Sequence, residues 1–206
     1  MNKIKFSNRL FNLSLFCGLL CAVFICLADF DANCENIRNN VLRLHIIANS
    51  DDECDQQLKL KIRDKILEES SDIFSGDEDI NEAVSVAKER LSIFTKIANE
   101  VIAENGFDYK AKAEIGPTYF ETREYDDFTL PAGEYESLLI TVGKGEGKNW
   151  WCVIFPQMCV SAAAEKASLC DTVSSEASSI AENPQRYVMR FKTVEIYENI
   201  KKFLKR

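Results

Sequence analysis

The chain has few of the residues that reaction chemistry and sharp turns require. Among its 206 residues it holds one histidine, four prolines and eight glycines. A zinc-protease helix of the His-Glu-x-x-His kind needs two histidines, so the single one, His45, excludes that site. Neither Asp-Thr-Gly nor Asp-Ser-Gly occurs, so the motif of an aspartic protease dyad is missing as well. The sequence therefore offers no motif for these two hydrolase classes.

Positive charge is scarce relative to negative charge. The chain carries 25 Lys and Arg against 33 Asp and Glu, a net charge of −8. An acidic surface repels phosphate backbones, and no basic stripe with interleaved aromatic residues occurs. We therefore expect no nucleic-acid partner. Because 46% of the residues are apolar, the chain can bury a substantial core.

One long apolar run lies near the N-terminus. Leu13–Ala28 follows a basic stretch and is ended by Asp29. Its sixteen residues would make a helix of roughly 24 Å, short of the ~30 Å hydrocarbon core of a bilayer. Cys26 and Ala28 supply the small residues that precede a signal-peptidase site. We predict that residues 1–28 are either a signal peptide or an uncleaved membrane anchor, with the remaining chain outside the cytoplasm.

Eight cysteines are present, three of them in this leader. The others are Cys34, Cys54, Cys152, Cys159 and Cys170. Cys152 and Cys159 flank a short segment in which Pro156 is expected to turn the chain. Since exported proteins form disulfides, we predict a Cys152–Cys159 bond, with two buried thiols as the alternative. The pairing of the other three stays open.

Periodicity predicts a strand followed by two helices. Residues 41–48 alternate, with Leu42, Leu44 and Ile46 on one face and Arg43 and His45 on the other. Ser50 and Glu53 form the pattern of a capping box, which starts a helix that ends near Ser70. Apolar residues at steps of three and four then predict a second helix from Ile80 to Asn105-Gly106.

After the second helix the period of the pattern changes from 3.6 to two. Three further strands are predicted, at Tyr109–Ile115, Tyr135–Val142 and Trp150–Phe155. The glycine-rich residues 143–148 are predicted to join the last two strands as a hairpin. This loop lacks the Lys-Ser/Thr ending and the following helix of a phosphate-binding loop.

This order of elements predicts a mixed α/β fold. We expect a two-layer domain, since the apolar helix stripes need a sheet to cover, with a C-terminal helix in addition. The predicted parts are the leader 1–28, a short linker 29–39, an α/β signalling domain 40–160, an Ala/Ser-rich linker or poorly packed helix 161–183, and a helix 184–206 whose possible anchors are Phe191, Val194 and Leu204.

A Cys–His pair is the one arrangement that could carry catalysis. Cys54 lies in the first turn of a predicted helix, where backbone amides favour a thiolate. With His45 as base and Asn49 as orienting group, it would define a small secreted hydrolase. The alternative is a histidine on a sheet face, hydrogen-bonded to a neighbour.

Four segments carry a resemblance to a known family. They are Arg43–Asp51, Asp55–Asp64, Leu130–Tyr135 and Asn149–Cys159. Together they resemble the stage II sporulation protein R family, secreted signalling proteins of spore-forming bacteria. The resemblance covers roughly Asn40 to Cys159. The chain departs from the family pattern at Cys54 and in the Ala/Ser-rich segment that follows Cys159.

The resemblance implies both a role and a place. It implies a protein made in the forespore and exported into the space between the forespore and mother-cell membranes. There it would act on a membrane-embedded aspartic protease, the processing peptidase of a sporulation sigma-factor precursor. The implied role is a signal with no reaction and no cofactor of its own. Contact with the membrane would run through the N-terminus if it stays uncleaved.

The expected partner surface surrounds the first predicted strand. Arg43 and His45 share one strand face, and Asn49, Ser50 and Asp51 follow at its carboxyl end, where α/β sheets commonly present binding groups. This face is either an internal polar network or a contact with the protease. Trp150 and Trp151 are adjacent in a strand and so point to opposite faces. One of the two should join the core, and the other is a candidate contact.

Overall fold

The computed structural model describes residues 2–74, 79–125, 128–156, 158 and 172–204. The helices of this part are α1 (Asn2–Asn39), α2 (Glu53–Ile73), α3 (Ile80–Glu89), α4 (Leu91–Glu104), α5 (Ser175–Glu182) and α6 (Val188–Leu204), with a short 3-10 helix at Pro184–Arg186. The strands are β1 (Leu42–Ile47), β2 (Ala111–Phe120), β3 (Arg123–Glu124), β4 (Thr129–Leu130), β5 (Gly133–Val142) and β6 (Asn149–Phe155).

Strand β1 lies inside a four-stranded sheet of order β2-β5-β1-β6. It pairs in parallel with β5 and antiparallel with β6, so that Leu44 faces Leu138 on one side and Cys152 on the other. The predicted hairpin of β5 and β6 is therefore wrong. Residues 143–148 instead cross the end of β1, a distance of about 10 Å for two strand spacings.

Helices α2, α3 and α4 cover one face of the sheet. The four-residue spacing of Leu58, Ile62 and Ile66 turns one side of α2 toward Leu44 and Ile46 in a single apolar cluster. The predicted second helix is two helices, because the chain leaves helical geometry at Arg90 between α3 and α4.

The capping box predicted at Ser50 and Glu53 is wrong. Asp52 is the N-cap of α2 and makes no side-chain cap bond. The Ser50 hydroxyl instead donates to the carboxylate of Asp55 and accepts from the Asp52 amide. A charged acceptor makes the stronger hydrogen bond, which explains why Ser50 turns toward Asp55.

The mixed α/β class is confirmed, and the second face of the sheet is covered too. That face packs against the end of α1, the small β3–β4 ribbon and α5. The buried cluster there comprises Ile37, Val41, Phe120, Phe128, Leu130, Tyr135, Val153, Met158, Val173, Ala177 and Ala181. Burial on both faces is typical of a central strand with a parallel neighbour, and β1 is such a strand.

The last turns of α1 are part of the folded body. Residues 29–39 are helical rather than the predicted linker, and Phe30, Cys34 and Ile37 are buried. The predicted anchors Phe191 and Val194 of α6 are buried as well, whereas Leu204 is exposed.

Helix α5 occupies part of the segment predicted as a linker or a poorly packed helix. It spans Ser175–Glu182, and Ala177, Ile180 and Ala181 on its inner side are buried. Small side chains allow this helix to pack closely against α1 and β4. Residues 161–171 of the predicted linker lie outside the described residues.

Candidate functional site

The polar residues after β1 meet the loop that crosses over them. We call Asn49–Asp51 together with residues 143–148 the rim. Asn49 accepts hydrogen bonds from two loop amides, Lys144 N to its side chain at 3.0 Å and Glu146 N to its carbonyl at 3.2 Å. The Asp51 carboxylate accepts from Lys148 N at 2.8 Å. The loop is thus bound to the end of β1 through its own backbone.

Glycine is required in this loop for steric reasons. Gly143 has a φ of +57°, and a Cβ there would meet the Asn49 side chain. At Gly147 a Cβ would collide with the carbonyl of Ser50, which is backbone and cannot swing away. The glycines therefore bring two backbones together at this edge, a function that the hairpin prediction did not include.

The Asp55 carboxylate accepts hydrogen bonds from three side chains beneath the rim. The donors are Asn49 Nδ2 and Ser50 Oγ, each at 2.7 Å, and the Tyr109 hydroxyl at 2.5 Å. Burial alone would raise the pKa of Asp55, but these hydrogen bonds outweigh it and the pKa is lowered. Asn49 and Ser50 thus stabilise the rim through Asp55, in addition to forming part of its surface. The sequence signal for Asp55 is a carboxylate in the first turn of a predicted helix, five residues after the Ser50 that was assigned to the cap.

Lys59 supports the loop from the helix side. Its ammonium group donates to Lys148 O at 2.9 Å and to Gln56 Oε1 at 2.6 Å, and its side chain is buried. Burial lowers the pKa of Lys59, against the opposite effect of Asp51. Above these supports, the side chains of Asp51 and Lys144 are exposed. Sequence analysis did not identify Lys59, because a lysine on an amphipathic helix is usually exposed.

Arg43 lies on the opposite face of the sheet from α2 and is fully buried. Its guanidinium sits 3.8 Å from the centre of the Phe120 ring and 4.9 Å from that of Tyr135, and it donates to the Tyr125 hydroxyl at 2.6 Å. Burial lowers the pKa of Arg43, which the neighbouring tyrosines partly offset. Arg43 is therefore an interior residue that contacts mainly aromatic rings, and its role as a partner contact stays a prediction.

His45 is buried beside Arg43. Its ring stacks on Trp151 with centroids 3.7 Å apart, and its Nε2 lies 3.1 Å from Asn149 Oδ1. Burial lowers the pKa of His45; the Asn149 hydrogen bond opposes this shift and the Arg43 charge adds to it. The neutral imidazole is thus the form that this site stabilises.

The two tryptophans do point to opposite faces. Trp150 packs against the helical side, with the Arg63 guanidinium 4.4 Å from its ring centre, and Trp151 packs against His45. Both are half-buried, so neither is wholly in the core and neither is freely exposed. That either tryptophan contacts a partner stays a prediction.

The Cys–His hydrolase site is not assembled. Cys54 is exposed in the first turn of α2, whereas His45 points to the sheet face that α2 does not cover. Asn49, the proposed orienting residue, bonds to Asp55 and to the loop. The arrangement therefore does not support nucleophilic chemistry by this pair.

The predicted disulfide involves one residue of the described part. Cys152 is buried on β6, while Cys159 lies outside the described residues. Their pairing stays a prediction. Cys34 and Cys54 are free thiols, and Cys170 also lies outside the described residues.

Fold and site together define a class of protein: a mixed α/β domain that continues directly from an apolar N-terminal helix and displays a braced polar rim beside its central strand. The family described as stage II sporulation protein R matches residues 38–165, more than half of the chain. The chain belongs to this family and is thus a sporulation protein. The family prediction is confirmed.

A curated relative, stage II sporulation protein R of Bacillus subtilis (strain 168), is 40% identical over 123 residues. The matched stretch covers 60% of this chain and 55% of the relative, so the chain spans about half the length of the curated relative it matches. No solved structure matches. The family match contains the rim and the Arg43–His45 face, while α5 and α6 lie outside it.

Proposed function

We propose that the chain is an exported sporulation signal that activates a membrane-embedded aspartic protease, which then processes a pro-sigma factor. Family membership supports the sporulation role. Within α1, Leu10–Asn39 is long and apolar enough to cross a membrane, with a mean hydropathy of 2.5 in its apolar stretch. The folded body starts near Phe30, so a spanning α1 keeps that body on one side of the membrane, where it can meet a membrane-embedded partner.

The observation that carries this proposal is the construction of the rim. Exposed side chains of both charges, among them Asp51, Lys144 and Glu146, stand on a backbone that hydrogen bonds hold in place. A surface that is already ordered loses little conformational entropy on binding. Arg43 and His45 support the sheet from within, so the rim is the part of the predicted surface that is suited to direct contact.

The test is activation in a defined mixture. The full chain is added to membranes that contain the protease and its pro-sigma substrate, and cleavage is measured against its concentration. Lys144→Glu should raise the concentration for half-maximal cleavage about tenfold, with the maximum retained, because a weaker contact can be saturated. Lys96→Glu, a charge reversal at another exposed lysine, on α4, is the matched control and should behave like the wild type.

Three outcomes would contradict the proposal or part of it. If the wild type triggers no cleavage, the activating role is wrong. If Lys144→Glu and Lys96→Glu respond alike, the contact surface is not the rim. If Cys54→Ser abolishes activation in a folded protein, the hydrolase alternative gains support.

A further inference from the structure

Helix α6 carries apolar side chains on two opposite sides. Its inner side buries Phe191 and Val194 against the body. Its outer side carries Met189, Ile196, Ile200 and Phe203, whose exposed fractions are 80%, 60%, 54% and 78%. We call these four residues the outer stripe. Large apolar side chains aligned in water usually mark a surface that another molecule covers.

The spacing of the outer stripe is that of a coiled-coil seam. Starting from Met189, the positions Thr193, Ile196, Ile200 and Phe203 follow at alternating steps of four and three. In heptad notation they read d-a-d-a-d, the pattern that inserts into the grooves of one facing helix. The shape of the occupant is therefore a helix.

Charge beside the seam distinguishes between two helical occupants. The charged residues at the flanking e and g positions are Arg190 and Lys192, and the described part of α6 has no carboxylate at these positions. Lys192 also pairs with Glu195 at a neighbouring c position, at 3.0 Å. Arg190 lies over the Phe30 and Tyr187 rings. Exposed pairs of this kind are weak and leave both charges open to a partner. A second α6 would place like charges against each other. A helix from another protein, with Asp or Glu beside its apolar seam, would pair with both.

The direction of α6 indicates whether the outer stripe contacts a partner helix or a membrane surface. Alongside the end of α1, the Phe30 and Phe191 rings lie 5.3 Å apart, and further along the Arg38 guanidinium lies 4.0 Å from the Glu198 carboxylate. The two helices thus run side by side in the same direction. In a chain anchored by α1, the bilayer lies roughly across this direction, so the outer stripe does not lie flat on it.

We propose that the outer stripe of α6 binds an amphipathic helix of a partner protein whose apolar seam is flanked by Asp and Glu. The helix would stand along the membrane normal, just outside the bilayer. Because α6 lies outside the residues that match the family, the outer stripe is a feature that the family match does not cover, and the peptide-binding test below does not require protease activation.

The experiment uses the full chain in phosphatidylcholine nanodiscs and two synthetic peptides. Each peptide has about three heptads with Ile and Leu at a and d; one carries Glu at e and g, the other Lys. Fluorescence anisotropy should show the Glu peptide binding about tenfold or more tightly than the Lys peptide. Arg190→Glu combined with Lys192→Glu should reverse this preference.

A matched pair of variants tests the stripe itself. Ile196→Ser should weaken binding of the Glu peptide about tenfold. Val188→Ser should not, because Val188 is an exposed apolar residue of α6 that lies outside the stripe. Circular dichroism verifies that α6 stays helical in both. Equal binding of both peptides, or of both variants, would overturn the proposal. So would dimerisation of the chain that Ile196→Ser abolishes. Flotation with phosphatidylglycerol vesicles of a chain without residues 1–28, if Ile196→Ser abolishes it, would overturn the proposal as well.

Discussion

At the scale of single residues, β1 carries two basic side chains, Arg43 and His45, that pack against aromatic rings instead of carboxylates. Arg43 contacts Phe120 and Tyr135, and in the described ranges no carboxylate pairs with it. His45 stacks on Trp151, and the charge of Arg43 adds to the lowering of its pKa by burial. A proton on His45 would add a second positive charge beside Arg43, and among the described residues no carboxylate bonds to either side chain. The state of His45 is therefore coupled to the stability of the sheet.

This coupling predicts a pH dependence of unfolding. The pKa of His45 is lower in the folded state than its usual value near 6.5. Between these two pKa values the unfolded chain binds a proton and the folded chain does not. Hence the free energy of unfolding should fall as pH decreases through about 6.5. Urea denaturation of the full chain in mild detergent, at about pH 7.5 and about pH 5.5, measures this change.

His45→Phe is a clean control because the chain has no other histidine. The variant keeps an aromatic ring against Trp151 and removes the titrating group. Its unfolding free energy should change less with pH over the same interval. An equal change in variant and wild type would show that other groups cause the dependence.

At the scale of elements, the crossing loop depends on a close approach of two backbones. Gly147→Ala should lower the unfolding free energy by about 1–3 kcal/mol, because the new Cβ collides with the Ser50 carbonyl. Gly116→Ala on β2 is the matched control, since a Cβ there meets nothing within 4 Å. It should be neutral or slightly stabilising. Chemical denaturation compares the two, and equal losses would contradict the proposed role of Gly147.

A disulfide at the end of β6 is a second prediction at this scale. Cys152 and Cys159 should be joined in exported protein, because a short segment around Pro156 favours closure. Reduction should then lower stability by about 2–3 kcal/mol. Mass spectrometry of unreduced peptides tests the bond directly, and two free thiols would refute it.

The elements also show what the sequence can and cannot predict. The strands at 135–142 and 150–155 were predicted closely, because side-chain alternation is a local property. The position of β1 between them was not, since strand order depends on contacts distant in sequence. Asn49 was predicted at the site because it directly follows β1. Lys59 and Tyr109 complete the site from parts of the chain that are distant in sequence, and so they were not predicted. The burial of Arg43 likewise depends on aromatic rings from β2 and β5.

At the scale of the whole molecule, α1 links an apolar segment to the core without a break. Phe30 packs on Tyr187 and Phe191, and Ile37 belongs to the cluster beneath the sheet. The last turns of this helix thus join the sheet to α6. Cleavage after Ala28 would remove the exposed apolar part and leave these contacts in place. An anchored and a released form would then share one folded body.

This predicts opposite results for two truncations. A chain that begins at Asp29 should unfold at nearly the same denaturant concentration as the full chain, because residues 10–28 are almost entirely exposed. A chain that begins at Asn40 loses the buried Phe30, Cys34 and Ile37. Each large apolar side chain contributes about 1.5–3 kcal/mol, so this second chain should be destabilised by several kcal/mol or fail to fold. Equal stability of the two would mean that α1 is only a leader. In the exporting cell, a mature N-terminus at Asp29 would identify the released form, and a retained Met1 would identify the anchored one.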